Sequence, residues 1–366
     1  MCVAVHGDDF ISEGTPDALE WLRQGLERKY DLKTEVLGPD EGDKMEVRIL
    51  NRVLRWTCEG IEYEPDPRHA EIILRDLGLT QGKGVRTPGT KDTKANEASS
   101  PGMTSEQVDA TRYRAIVARC NFLAQDRADI QFTTKELCRA MSAPGEEDWQ
   151  RLKRMGRFLK TRPRTIQKFQ WQPPPKLLTV RTDSDWAGCR DTRKSTSGGA
   201  LFRGEHLLRT WSSTQSVIAL SSGEAELYAT VKGATVLKGA MSSAKDYGEV
   251  LDGILGTDSS AAMGMVHRRG LGKVRHIDVQ YLWIQEGIHN KDFSIEKVAG
   301  HENCADLMTK YLDEATMMRH MQTLNLEYRE GRAAIAPKVV AHFVSEGSSP
   351  LSSSSSLRRG NSASST

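Results

Sequence analysis

Leu178-Thr179-Val180-Arg181-Thr182-Asp183-Ser184-Asp185-Trp186-Ala187-Gly188 is the stretch from which the rest of the chain can be read. A β-branched run that closes on two acidic residues and a turn glycine reads as a strand whose end delivers a carboxylate to a sheet edge or cleft. Three further acidic residues stand where a second element would begin: Glu226 in Ser-Ser-Gly-Glu-Ala-Glu, Asp258 in Gly-Thr-Asp-Ser-Ser, and Asp306 in Cys-Ala-Asp-Leu. If the four converge, their mutual repulsion calls for cations between them, and all-oxygen donors select hard ions such as Mg²⁺. Two such ions about 3.5–4 Å apart would activate a water and stabilise the leaving oxygen in phosphodiester hydrolysis. Glu224 has a simpler reading, because Ser221-Ser-Gly-Glu224 fits a capping box, which leaves Glu226 as the better ligand.

Working outward from this strand, Pro173-Pro174-Pro175 makes a stiff hinge on its upstream side. Downstream, the periodicity predicts strands over 177–183, 198–203 and 207–213, a helix over 222–241, and a strand over 250–257. Helices over 259–267 and 276–288, a strand over 293–298 and a helix over 303–312 complete the order. A meander of three strands followed by alternating helix and strand predicts an α/β fold, a mixed sheet covered by helices, with the carboxylates at one sheet edge.

Before the hinge, Trp149, Leu152, Met155 and Leu159 share one helical face, while Arg151, Lys153, Arg154, Arg157 and Lys160 lie off it. Arg162, Arg164 and Lys168 extend this cationic run, which suits a polyanionic substrate. Read alone, the same pattern is equally that of a solvated amphipathic helix. At the start of the chain, His6-Gly7-Asp8-Asp9 between two short apolar runs reads as a hairpin with Asp8 and Asp9 near its tip. Thr15-Pro16 opens a helix with Leu19, Leu22, Leu26 and Tyr30 as its buried stripe, and Asp66-Pro67 opens another, with Ile73, Leu74 and Leu77 inward. Residues 81–104 read as a long loop, and Ser345 to Thr366 as a disordered tail.

The 366 residues suffice for two or three domains. A formal net charge of +2 does not announce a nucleic-acid binder, so any such signal is local. The six cysteines lack paired CxxC spacing, which argues against a zinc site or disulfide framework and fits a reducing intracellular compartment, cytoplasmic or nuclear. No apolar run approaches the ~18 residues of a membrane span.

Several segments together resemble the ribonuclease H domain of copia-type long-terminal-repeat retrotransposon Pol polyproteins. They are Arg181-Thr-Asp-Ser-Asp-Trp-Ala-Gly, Arg193-Lys-Ser-Thr-Ser-Gly-Gly, Trp211-Ser-Ser, Ala219-Leu-Ser-Ser-Gly-Glu-Ala-Glu226, Arg275-His-Ile-Asp-Val-Gln-Tyr and Cys304-Ala-Asp-Leu-Met-Thr-Lys310. Tyr113-Arg-Ala-Ile-Val, Arg127-Ala-Asp-Ile and Trp149-Gln-Arg-Leu-Lys-Arg are similar to the region that joins polymerase to ribonuclease H in that family, and His6-Gly-Asp-Asp9 resembles the polymerase hairpin. The resemblance runs colinearly over about 1–327.

It implies a ribonuclease H-like five-stranded mixed sheet, with Asp183, Glu226, Asp258 and Asp306 as the ligands of two Mg²⁺ (or Mn²⁺) ions and His301 as an accessory to proton transfer. It further implies cleavage of the RNA strand of an RNA/DNA hybrid, with the rest of the Pol polyprotein as a partner and no membrane. The expected divisions are a partial reverse-transcriptase palm and thumb at 1–95, a helical connection at 96–172, the ribonuclease H-like domain at 176–327 and a tail at 328–366. The polymerase part is expected to be truncated and inactive, since Asp8 and Asp9 lack the family's third, upstream Asp. The rival expectation is a catalytically silent nucleic-acid-binding remnant. A transposase-type nuclease of similar fold is a third reading, and it would cut duplex DNA.

Overall fold

The computed structural model describes residues 1–91, 109–272 and 275–339. The segment 92–104 of the expected loop and the Ser-rich stretch 345–366 therefore lie outside the described residues.

The chain opens with the antiparallel hairpin β1 (Cys2–His6) and β2 (Asp9–Glu13), followed by helix α1 (Pro16–Glu27). Gly7, at φ +58°, supplies the left-handed residue of the two-residue turn between His6 and Asp9. The expected buried stripe of α1 is only half realised. Leu19, Leu22 and Leu26 are partly covered, Tyr30 is exposed, and no residue of the helix is fully buried.

Strands β3 (Glu46–Ile49), β4 (Arg52–Thr57) and β5 (Gly60–Glu64) form a meander that leads into α2 (Arg68–Asp76). Three helices follow, α3 (Ala110–Leu123), α4 (Ala128–Arg139) and α5 (Glu146–Thr161), and then β6 (Arg164–Gln170). As the spacing predicts, Leu152, Met155 and Leu159 of α5 are fully buried, and Ile73 of α2 and Leu77 at its C-terminal cap face the same core, whereas Leu74 is only partly covered.

The second half of the chain carries the site. Strands β7 (Leu177–Asp185), β8 (Thr196–Arg203) and β9 (His206–Thr214) run antiparallel as a meander. Helix α6 (Ser222–Asp246), β10 (Asp252–Thr257), α7 (Ser260–His267), α8 (Trp283–His289) and β11 (Ser294–Lys297) follow. β10 returns parallel to β7, and β11 parallel to β10, which gives the order β11-β10-β7-β8-β9. Three antiparallel strands extended on one side by two parallel ones make the ribonuclease H-like mixed sheet expected above.

Side-chain alternation splits this sheet between two cores. Leu178, Val180, Leu201 and Trp211 pack beneath α6, whereas Ala200, Phe202 and Leu207 join the core of α2, α3 and α5. Gly233 lets α6 lie against β7, since a β-carbon there would clash with Thr182 Cγ2 and come 3.0 Å from Val180 Cγ1.

Two predicted helices are shorter than their patterns. Residues 276–288 resolve into a 3-10 turn, Val279–Tyr281, followed by α8, and residues 303–312 into a 3-10 stretch, Cys304–Met308. Asn303 explains the second case, because it caps the turn through Ala305 N and fixes its start to the sheet.

Helix α9 (Glu314–Thr323) then leads into β12 (Leu326–Arg329). β12 lies across the 327/328 boundary expected above and pairs antiparallel with β6, which itself falls inside the stretch expected to be helical. The resulting sheet, β12-β6-β5-β4-β3, draws on both ends of the chain. Strand β6 was hidden from the sequence pattern because its basic residues read as a continuation of α5. Among the described residues, no helix is long and apolar enough to cross a membrane.

Candidate metal-binding carboxylate site

Asp183 sits in the last third of β7, in the middle of the sheet, with almost no exposure of its side chain. Asp258 follows the C-terminal end of the neighbouring parallel strand β10, and Asp306 lies in the 3-10 stretch that packs against β7 and β8. One carboxylate oxygen from each of these three lies within 4.8 Å of the others.

Asn303 sets the position of Asp306. This fully buried side chain donates from Nδ2 to Thr182 O at 2.9 Å and accepts from Ala305 N at 3.3 Å, which ties the 3-10 turn to the strand one residue before Asp183.

Glu226, in the first turns of α6, approaches the same group from above the sheet. Its Oε1 accepts from Ser184 N at 3.2 Å and Ser184 Oγ at 3.0 Å, while its Oε2 is buried without a hydrogen-bond partner. Burial pushes the Glu226 carboxyl up to about 7, the Ser184 hydrogen bonds oppose that, and the Asp258 charge adds to it. Burial likewise raises Asp183 well above the carboxylate range; Lys310 opposes the rise, and Asp306 and Glu226 reinforce it. Both shifts are those of carboxylates held together in a poorly solvated place, a condition that a bound cation relieves.

Lys310 supplies part of that positive charge. Its Nζ lies 2.7 Å from Asp306 Oδ1 and 3.2 Å from Asp183 Oδ2, and the Thr309 hydroxyl donates to Asp183 Oδ2. The chemistry of the site fits a hard divalent ion: three carboxylate donors within 4.8 Å of one another, a buried orphan oxygen on Glu226, and an ammonium already drawn to two of the carboxylates.

The other candidates fall elsewhere. Glu224 is spent structurally: Ser221 Oγ caps Glu224 N, but the carboxylate reaches Leu220 N rather than Ser221 N, and it also accepts from Tyr228 Oη at 2.6 Å and meets His276 Nε2 at 2.8 Å. Asp185 turns from the cluster to accept from Thr196 N across the β7–β8 pair. His301 is exposed on the Gly300–Glu302 turn, with Glu302 3.7 Å away. Asp8 and Asp9 are exposed at the β1–β2 hairpin. Among the described residues they belong to no group of three donors able to hold a metal.

The basic run is less available than its composition suggests. Arg164 forms an ion pair with Glu64 at 2.7 Å, Lys168 with Glu327 at 2.5 Å, and Arg162 with Glu314 at 3.1 Å. Arg154 donates to Thr87 Oγ1, Lys160 to Thr80 O, and Arg151 pairs with Asp148. Lys153 lies over the Trp149 ring, while Arg157 points outward from α5 as an exposed residue. Asp148 is a local partner within α5, but the acids that engage Arg162, Arg164 and Lys168 come from α9, β5 and β12, far away in sequence, where the local pattern gives no sign of them.

Asn303, Ser184, Thr309 and Lys310 also act at the site, and none of them is among the residues that the sequence pattern singles out. Lys310 does stand four residues after Asp306, the helical spacing at which an ion pair forms, and that was the available signal.

No protein-family model matches the chain. It is 26% identical over 322 residues to the retrovirus-related Pol polyprotein from transposon TNT 1-94 of Nicotiana tabacum, a match covering 85% of this chain and 23% of that protein. Over 253 residues it is 28% identical to the retrovirus-related Pol polyprotein from transposon RE1 of Arabidopsis thaliana, covering 67% of this chain and 17% of the relative. The chain thus spans less than a quarter of the length of these relatives. Among solved structures, the N-terminal ribonuclease H domain of Rv2228c from Mycobacterium tuberculosis aligns with 40% of this chain and 97% of its own at 18% identity and a TM-score of 0.27.

Proposed function

We propose, from its similarity to the retrovirus-related Pol polyproteins of transposons TNT 1-94 and RE1, that the chain hydrolyses the RNA strand of RNA/DNA hybrids as a divalent-metal-dependent ribonuclease H. The observation that carries the reading is the gathering of Asp183, Asp258 and Asp306 within 4.8 Å, with the orphan oxygen of Glu226 alongside.

Asp183, Asp258, Asp306 and Glu226 would hold Mg²⁺, or Mn²⁺ in its place. Bound ions would supply the charge that activates a water and stabilises the leaving oxygen of the scissile phosphodiester. Asn303 and Ser184 act on the ligands themselves, the first by fixing the Asp306 turn to β7 and the second by orienting Glu226. His301, on the exposed Gly300–Glu302 turn, keeps only the accessory role that the resemblance implies. A hybrid would be read by shape and by its 2′-hydroxyls, with little sequence preference. Of the cationic run, Arg157 and Lys153 are the residues we assign to its backbone. The division into segments at 1–95, 96–172, 176–327 and 328–366 is kept as a description of relationship to the longer polyprotein. Asp8 and Asp9, exposed and without a third ligand among the described residues, are assigned no DNA synthesis.

The test is cleavage of an RNA/DNA hybrid labelled on the RNA strand, run beside duplex DNA and single-stranded RNA. Cleavage of the hybrid alone, lost on chelation and reduced at least about a hundredfold by Asp258→Asn, is expected. Hybrid binding without cleavage would favour a catalytically silent remnant, and cleavage of duplex DNA a transposase-type nuclease.

A further inference from the structure

We propose that Lys310 is a built-in cation of the carboxylate cluster, holding its Asp183–Asp306 edge so that the chain free of nucleic acid takes up a single divalent ion on the Asp258 side. The inference rests on the hydrolytic site proposed above and specifies how that site is filled.

Lys310 Nζ lies 2.7 Å from Asp306 Oδ1, 3.2 Å from Asp183 Oδ2 and 3.3 Å from Asp183 Oδ1, so the ammonium bridges the two side chains. Its root is fixed as well, because Lys310 N donates to Asp306 O at 3.0 Å. Thr309 Oγ1 adds a hydrogen bond to Asp183 Oδ2 from the next position in the chain. The Asp183–Asp306 edge is therefore already partly neutralised and donor-rich.

The opposite side is not. Glu226 spends Oε1 on Ser184 and leaves Oε2 buried and unpartnered. An ion entering there meets a free oxygen, whereas one entering between Asp183 and Asp306 must approach oxygens to about 2.0–2.1 Å while an ammonium occupies the same edge. Like charges at that separation repel strongly in a poorly solvated site. The flexible four-carbon stem of lysine allows it to swing aside, and the side chain is about one-third exposed, so the second position opens when Lys310 leaves.

The experiment titrates Mn²⁺ into the full chain without nucleic acid and counts free ion by electron paramagnetic resonance. The wild-type chain should saturate at one ion. Lys310→Met, close to lysine in length but uncharged, should bind a second ion or bind the first at least about tenfold more tightly. Two ions on the wild-type chain, or a Lys310→Met isotherm superimposable on the wild type, would overturn the proposal. The wild-type count needs no variant, so the proposal stays open to refutation even if Lys310→Met fails to fold. Asp258→Asn separates the two readings. If it leaves Mn²⁺ binding unchanged, the metal site itself is wrong; if it abolishes binding while Lys310→Met changes nothing, only the role of Lys310 falls.

Discussion

Tyr328 donates its hydroxyl to Asp129 Oδ2 at 2.9 Å, joining β12 to α4 across almost 200 residues of chain. Asp129 is already paired with Arg127 at 2.6 Å, and both side chains are buried. Truncating one member of such a pair leaves the other charge buried and uncompensated. Asp129→Ala should therefore cost about 3–5 kcal/mol of folding stability, read from the urea midpoint at constant slope. A loss below about 1 kcal/mol would show that water reaches Arg127.

The same junction bears on the segment 176–327. Phe202 and Leu207 of its sheet, with Met308 and Met317, share one core with Leu152, Met155 and Phe158 of α5. Cut out as a fragment, 176–327 should lose its near-ultraviolet circular dichroism and bind a hydrophobic dye, while the whole chain does neither. A fragment that melts cooperatively at the temperature of the whole chain would refute this.

The unequal legibility of the fold has a physical origin. β7 through β11 are readable because the strands are short local runs and two of the helices begin with a local side-chain cap, Ser221 for α6 and Ser259 for α7. β12 is not, since its partner β6 lies some 160 residues upstream and nothing local records that pairing. At the site, Asp183, Glu226, Asp258 and Asp306 stood out by residue type and by position at the ends of elements. Asn303 and Lys310 did not, because their roles come from Thr182 O and Asp183, which meet them only through tertiary structure.

Gly233 lies two helical turns after Glu226, on the face of α6 that presses on β7. Gly233→Ala should push the helix off Thr182 and Val180, cost about 1–3 kcal/mol, and lower hybrid cleavage by moving Glu226 from Ser184. Unchanged stability together with unchanged cleavage would mean that the helix has slack at this contact.

His320 is buried in α9, and neither ring nitrogen has a hydrogen-bond partner. Burial lowers its pKa; the Asp306 charge opposes the shift, and Arg319 and Lys310 add to it. The unfolded ring takes up a proton near pH ~6.5, and the folded ring resists it. Above that pH both states are neutral and His320 adds no pH dependence; as pH falls below it, stability drops until the folded ring is also protonated. Urea midpoints between pH 8 and 5 should fall more steeply for the wild type than for His320→Met. Parallel curves would place the titrating group elsewhere.

The gathering of carboxylates around a divalent ion is tested most directly by anomalous diffraction from a crystal of the full chain soaked in Mn²⁺. The account predicts a peak within coordinating distance of Asp183 and Asp258 and of Glu226 Oε2, with Lys310 still between Asp183 and Asp306. Anomalous density elsewhere on the molecule, with these four side chains bare, would contradict it.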